Sequence, residues 1–319
     1  MCQLKSGLVF EDRVFVPEYD SHDRMLEELG IEDNYLNASK TFVRVELSPE
    51  DNDVFSDIDG WKLKTDQDVL PDWWDEATYK PQVVEAVKEW AKTHIHIGID
   101  GLKIDDGESH YIKDCKDVEI CDSSTVTVYN SSTVKAYNSS TVEAYDSSSV
   151  TAYDLSTVEA YDSSSVTAYD LSTVKAYDLS TVEAWGSSTV EAWGSSTVTA
   201  CNLSTVKAYG SSTVEAWGSS TVEAWGSSTV EAYDSSSVTA YDLSTVKAYD
   251  LSTVEAYGSS TVEEAKGLST IIGSQYGWKN KNKLILSENS TFKDCETRTI
   301  YQSGNWKLVE VEDGGKING

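Results

Sequence analysis

The sequence predicts a mainly β protein: a two-sided parallel β-solenoid of two octads, or sixteen residues, per coil, with a small α+β N-terminal capping domain and a C-terminal cap. Three observations predict it. One octad, Ser-Ser-Thr-Val-x-Ala-Tyr/Trp-Gly/Asp, recurs about eighteen times between Ser123 and Glu263, its Val in step from Val126 to Val262. A fixed period of this kind marks stacked repeats. Within each octad the residues alternate with period two, which fits a strand and competes with no helical period. Asp-Ser, Asp-Leu, Gly-Ser or Asn-Ser then interrupts, which is turn chemistry. Each octad is therefore one short strand and one turn. A lone strand cannot bury its apolar face, so successive units stack.

Numbered from its first Ser, the octad directs residues two, four and six inward. The inward core begins Ser124, Ser132, Ser140 and Ser148 at position two, and Val126, Val134, Val142, Val150, Val158, Val166, Val174 and Val182 at position four, with Ala at position six. All are small, so the interior is thin and two sheets face each other closely. A buried hydroxyl needs a partner, so the serines are expected to form hydrogen-bonded ladders along the axis. Position five favours two octads per coil. Every second octad reads Glu159, Lys175, Glu191, Lys207, Glu223, which sets opposite charges one strand apart. Every third reads Glu143, Thr167, Glu191, Glu215, without such order; a three-sided coil is the alternative. Nine coils at about 4.8 Å each give roughly 43 Å.

Position seven is aromatic in every octad from Tyr129 to Tyr257 except at Cys201. Two octads per coil sort the rings into two lines. One runs Tyr129, Tyr145, Tyr161, Tyr177, Trp193, Tyr209, Trp225, Tyr241, Tyr257. The other runs Tyr137, Tyr153, Tyr169, Trp185, then Cys201, Trp217, Tyr233, Tyr249. Each Trp of these lines precedes a Gly, as if the larger ring needs a turn residue without a side chain. The lines either stiffen the margins or form a strip for self-association or ligand contact.

Octads such as Ala208–Glu215, Ala-Tyr-Gly-Ser-Ser-Thr-Val-Glu, resemble those of bacterial ice-nucleation proteins. The resemblance spans residues 123–263. It implies a sixteen-residue two-sided coil, a tyrosine ladder and outward Thr-x-Thr rows that meet ice. Here Thr-x-Thr occurs at Thr125/Thr127 and Thr197/Thr199, with Ser-x-Thr at Ser149/Thr151, Ser165/Thr167 and Ser237/Thr239. Glu or Lys takes the second site elsewhere, and charged side chains interrupt a flat hydroxyl array.

Residues 1–95 read as the α+β capping domain. Leu8-Val9-Phe10 and Val14-Phe15-Val16 flank Glu11-Asp12-Arg13 as a hairpin. Ser21 N-caps a short helix through Met25, Leu26 and Leu29, ended by Gly30. Phe42–Leu47 is a strand and Trp61–Lys64 another. Pro81 opens an amphipathic helix with Val83, Val84, Val87 and Trp90 inward, ending near His94. Leu70-Pro71-Asp72-Trp73-Trp74 ahead of a Glu-Trp-Ala-Lys helix resembles uncharacterised prophage-type proteins with repeat tails. Residues 96–122 read as irregular first coils: Ile95, Ile97 and Ile99 alternate, and Leu102, Ile104, Val118 and Ile120 keep the octad phase. The N-terminal domain is expected to cover the first strand edge. After the octads of 123–263 the phase slips at Glu263-Glu264, and Ile271 restarts it. Residues 264–312 read as a cap of about two coils, with a loop from Gly273 to Lys283, period eight at Leu284, Phe292, Ile300 and Leu308, and bulky Trp278 and Trp306. Residues 313–319 are expected to be a disordered tail.

The 319 residues carry a formal charge of −29. Such a surface repels phosphate backbones and attracts basic partners. The five cysteines, Cys2, Cys115, Cys121, Cys201 and Cys295, have no framework spacing. With no apolar leader or membrane-length run, the reading is cytoplasmic. His94 and His96 sit two apart without further ligands at metal spacing. Glu50-Asp51-Asn52-Asp53 with Asp57 and Asp59 lacks the glycine of a calcium loop. The Asp column Asp146, Asp162, Asp178 lacks the nonapeptide of calcium-binding solenoids. No P-loop, dinucleotide fingerprint or nucleophile elbow occurs. The expectation is a non-enzymatic, rigid, acidic interaction or self-assembly scaffold with no cofactor. Its partner would be a second copy of the chain, as a dimer, or a basic protein, without direct contact to nucleic acid or membrane. The alternatives are an acidic decoy for a nucleic-acid-binding protein in phage–host conflict, and ice binding.

Overall fold

In a computed structural model, the chain is described over residues 5–49, 51–273, 285–286, 289–294, 299–302 and 309–310. It divides into two units, Met1–Ile99 with Glu108–Cys115, and Asp100–Gly107 with Lys116–Gly319.

In the first unit, β1 (Lys5–Val9) pairs antiparallel with β2 (Val14–Phe15), forming the expected hairpin, and with β3 (Val43–Ser48). β4 (Lys62–Thr65) pairs with β3. Ser21 caps α1 (His22–Glu28) by accepting from the Arg24 N–H. The helix delivers buried Met25 and Leu26 to a core with Leu8, Phe10 and Phe42. The single turn α2 (Tyr35–Ala38) and the 3-10 turn Ile58–Gly60 were not expected. Side-chain caps from Asn34 and Asp57 form them, and one turn leaves no period to read.

The main helix, α3 (Glu76–His94), begins five residues before Pro81. Asp75 caps it by accepting from the Thr78 N–H. Pro81 falls in the second turn, where its missing N–H costs one bond to Ala77. Val83, Val84, Val87 and Trp90 are buried as expected. The chain continues directly into β5 (Ile95–Ile97), which pairs in parallel, sixteen residues on, with β7 (Ser109–Lys113). Here the inward face is corrected. His94, His96, His110 and Ile112 are buried, whereas Ile97 and Ile99 are 55% and 41% exposed. His110 and His94 stand sixteen and thirty-two residues before Val126 and share its parity, so coil phase turns the imidazoles in and the isoleucines out.

The second unit opens with β6 (Lys103–Ile104) and β8 (Val118–Ile120), paired in parallel. From β9 (Thr125–Tyr129) and β10 (Thr133–Ala136) onward each octad supplies one strand, which pairs in parallel with the strand sixteen residues on. Thr133 faces Ser149 and Thr141 faces Thr157, and the register holds to Thr245 and Thr261. Two parallel sheets result, one carrying Val126, Val142 and their successors, the other Val134, Val150 and theirs. The inward Val, Ala and Ser are buried throughout. Each buried Val contributes about 1.5–3 kcal/mol.

The serines do not form axial Ser–Ser ladders. Each closes its own turn: Ser156 Oγ donates to the Tyr153 carbonyl at 2.7 Å and Ser236 Oγ to that of Tyr233 at 2.7 Å. Ser164 and Ser204 also reach the Ala144 and Ala184 carbonyls of the preceding coil, at 2.9 and 3.0 Å. The hydroxyl is too short to reach its counterpart one rung away while a turn carbonyl lies beside it. Ser196, Ser220, Ser252, Ser260 and Ser269 are exceptions, with buried hydroxyls that have no partner, as is Ser124, which accepts from the Gly107 N–H at 3.0 Å.

The expected slip is a bulge. Lys247 pairs with Glu264, one residue beyond the sixteen-residue register. Ile285–Leu286 and Thr291–Asp294 add one more parallel rung to each sheet, with Phe292 buried. The expected further coil is then corrected. Thr299–Gln302 turns back antiparallel on Thr291–Asp294, and Val309–Glu310 follows antiparallel. Leu284, Leu308, Trp278, Trp306, Cys2, Cys295, Glu50, most of the Gly273–Lys283 loop and the 313–319 tail lie outside the described residues.

Candidate functional site: the aromatic margins of the coils

Position seven ends each strand facing outward, and the sixteen-residue register places its ring over that of the preceding coil. On the first line, Tyr129, Tyr145, Tyr161 and Tyr177 stack continuously with centroids 5.2, 4.8 and 4.9 Å apart. On the second, Tyr137, Tyr153 and Tyr169 stack at 4.9 and 5.2 Å. Both lines then meet tryptophan and change. Trp193 stacks on Tyr209 at 4.1 Å, Trp217 on Tyr233 at 4.1 Å and Trp225 on Tyr241 at 3.9 Å. Tyr233–Tyr249 and Tyr241–Tyr257 complete the lines at 4.9 and 5.4 Å. Among the described residues no stack joins a Trp to the Tyr before it: Tyr169–Trp185, Tyr177–Trp193 and Tyr209–Trp225 are all open. Trp193, Trp217 and Trp225 each stack on the C-terminal neighbour alone. Trp185, followed by Cys201, has no stacked ring on either face.

The turn after each ring explains the Trp-Gly pairing. Position eight is left-handed everywhere, in Asp as in Gly; Asp146 has φ +61° and Gly194 φ +71°. Backbone conformation therefore does not select glycine. Close approach does: a Cβ on Gly226 would stand 2.9 Å from the Gly210 carbonyl oxygen one coil back. At five position-eight aspartates the carboxylate instead accepts from the turn N–H of the preceding coil, as Asp146 does from Asn130 at 3.1 Å and Asp234 from Gly218 at 3.0 Å. Asp146 and Asp162 of the Asp column thus make turn-to-turn hydrogen bonds, a use the sequence reading missed.

Position five shares the outward face with position seven. Tyr161 donates to Glu159 at 2.7 Å and Tyr233 to Glu231 at 2.6 Å. Lys175 and Lys247 reach the same glutamates from the next rung at 2.9 and 2.8 Å. The lysine, then the tyrosine hydroxyl, hold both carboxyls below the usual range. Burial pushes Tyr145 up to about 12, with Glu143 adding to it. Tyr161 is raised by burial and then Glu159, Tyr233 first by its bond to Glu231. Glutamates two before a Trp have no such donor, since an indole has no hydroxyl.

The margins also carry exposed apolar side chains. Leu155, Leu171, Leu179, Leu203, Leu243 and Leu251 at position one, with Trp185, Trp193 and Trp217, are each more than a third exposed.

In the first unit the histidines form a separate buried column. Trp90, His94, His110 and His96 stack in that order at 4.8, 4.9 and 5.6 Å. His94 Nε2 lies 2.9 Å from Glu18 Oε2. The sixteen-residue gap between His94 and His110 is the signal that could have revealed it. The acidic loop at Asp53–Asp59 serves its own turns and an ion pair between Asp59 and Lys88 at 2.6 Å. No group of three or more His, Cys, Asp or Glu among the described residues is placed to hold a metal ion. No described helix is long and apolar enough to cross a membrane.

Comparison with protein-family models, curated proteins and solved structures finds no match to this chain.

Proposed function

We propose that the protein is a non-catalytic, rigid interaction scaffold whose solenoid self-associates, as a homodimer, along a ring-bearing margin. The observation that supports this reading is the outward line of rings on each margin, one per coil except at Cys201, flanked by exposed leucines. Such strips of apolar surface, rimmed by polar residues, suit protein contacts. Matching coil spacing in two copies sets ring against ring over many rungs, and each added aromatic pair contributes about 0.5–1.5 kcal/mol beyond area burial. Serine at Trp193, Tyr209 and Trp225 together tests it by light scattering of the size-fractionated protein. A dimeric parent and a monomeric variant support the reading. A monomeric parent, or a variant of unchanged mass, removes self-association.

The formal charge of −29 supports a second reading, an acidic surface that occupies a basic partner. Host-lysate capture would then return nucleic-acid-binding proteins released by salt; recovering none counts against it.

A further inference from the structure

The two margins carry a similar three-coil arrangement once each, and differ in its middle coil. On one sheet Glu191, Lys207 and Glu223 occupy position five of consecutive coils, with Trp193, Tyr209 and Trp225 two residues on. On the other sheet Glu183, Thr199 and Glu215 stand in the same register, with Trp185, Cys201 and Trp217 two residues on. The middle coil of the second set thus has Thr199 for a lysine and Cys201 for a tyrosine. It lacks both the positive charge and the flat ring that its counterpart places between two glutamates and two indoles.

The result is a notch one ring high. Cys201 is nearly buried at its floor, and Trp185 and Trp217, each 38% exposed, stand on the adjoining coils. Trp185 has no stacked ring, and Trp217 stacks only on Tyr233, on the side away from Cys201. The coils that carry the two indoles are two strand spacings, about 9.6 Å, apart, room for one planar group in the intervening coil. Glu183 and Glu215 form no ion pair or hydrogen bond among the described residues. Elsewhere in the solenoid Glu159 and Glu231 reach a cation one rung away at 2.9 and 2.8 Å, so both notch carboxylates can reach a guest in the middle rung. The turn residues at the rim, Gly186, Asn202 and Gly218, carry no charge.

We propose that this notch binds an arginine side chain of a partner protein, its guanidinium stacked between Trp185 and Trp217 and its N–H groups shared by Glu183 and Glu215. A guanidinium is planar and positively charged at once, so one group supplies both features absent from the middle coil. It stacks on indole faces and donates to carboxylates in one plane, which an ammonium cannot do. This deepens the reading of the solenoid as an interaction scaffold by naming what one site grips.

The test titrates the full chain with acetyl-Gly-Arg-Gly-amide and its lysine counterpart, following the indole N–H signals by NMR. The expected result is saturable shifts of the Trp185 and Trp217 signals, with the arginine peptide about tenfold tighter than lysine. The double variant Thr199→Lys, Cys201→Tyr copies the other margin's middle coil and should keep the coil intact by circular dichroism. It should weaken arginine binding at least about tenfold. Equal affinity for the two peptides, absence of saturable shifts, or full binding by that variant overturns the proposal. Light scattering on the same samples separates the two readings. An arginine-binding monomer overturns self-association alone, and a dimer indifferent to arginine overturns the notch alone.

Discussion

Trp225 and Tyr241 stack with ring centroids 3.9 Å apart, closer than any tyrosine pair in the solenoid, while the opposite face of Trp225 has no ring stacked on it. The lines are therefore short stacks separated by gaps on the N-terminal side of each tryptophan, with a further gap at Cys201. Stability along the margin should follow this segmentation. Tyr241→Ser removes contacts on both faces, to Trp225 and Tyr257, and is expected to cost about 2–3 kcal/mol. Trp185→Ser removes a ring with no stacked neighbour and should cost about 1 kcal/mol or less. Urea midpoints, with amide exchange at the adjacent coils, check the difference; equal costs would mean the rings act through area burial alone.

The turns give a second contrast. Gly226 lies close against the preceding turn, where an added Cβ would meet the Gly210 carbonyl at 2.9 Å. At Gly258 the nearest atom is 3.8 Å away, although both residues have left-handed φ. Gly226→Asn should destabilise by about 1–3 kcal/mol, and Gly258→Asn by a few tenths. Thermal midpoints of the two variants decide whether close approach, rather than φ, selects glycine after tryptophan.

Much of this solenoid was legible because its rule is local and repeated. Parity set the buried face, and the Glu159–Lys175–Glu191 order set the coil at sixteen residues. What escaped lies where one residue answers to two rules. Ile95, Ile97 and Ile99 carry a strong strand signal of their own, and hydropathy alone turns them inward. Coil phase, shared by buried His96, His110 and Ile112, turns Ile97 and Ile99 out and leaves Ile95 half-buried. Pro81 is a good helix opener in isolation, but the cap at Asp75 begins the helix sooner. The gaps beside tryptophan depend on ring size within a fixed rise, which no residue pattern displays. The notch was visible as a lone Cys201, but its meaning needed the register that sets Glu183 and Glu215 against Glu191 and Glu223.

Alkali should loosen the solenoid through its tyrosines. Tyr145 has an unfolded value near 10 and is pushed up to about 12 in the fold, by burial and then by Glu143. Tyr161 and Tyr233 are also raised. A raised folded value means the stabilisation is whole below about pH 10 and is lost as pH climbs toward 12. Glu159 and Glu231 act in the opposite sense. Their values are lowered, so their contribution is present above about pH 4.3 and falls away in acid. The expected profile of thermal midpoint against pH is a plateau with losses at both ends. Tyr161→Phe should reduce the alkaline loss, while tyrosinate absorbance at high pH should show a late-titrating group in the parent. An alkaline limb unchanged by Tyr161→Phe would place its cause elsewhere.

Coil number offers the sharpest test of the architecture, because octads are interchangeable in core but not in register. Deleting sixteen residues, Ser187 to Asn202, removes one strand from each sheet and joins equivalent turns. Val182 then faces Val214 as it now faces Val198. Folding should survive, with the solenoid one rung, about 4.8 Å, shorter by small-angle scattering. Deleting only eight residues, Ser187 to Gly194, keeps every Val and Ala inward but sends all later strands to the opposite sheet. Lys207 would then stand beside Glu183 and Glu223, so its charge register survives, whereas the sixteen-residue deletion sets Lys175 beside Lys207. The bulge at Glu263 and the antiparallel closing strands would be moved onto the other face. The moved bulge and closing strands should make the half-coil deletion fold less stably than the full-coil deletion, although it removes less of the protein and spares the charge register. If the two are equally stable, or the shorter deletion is the milder, the placement of the C-terminal closure contributes nothing to the fold, and the inward residues with the charge register specify the stack.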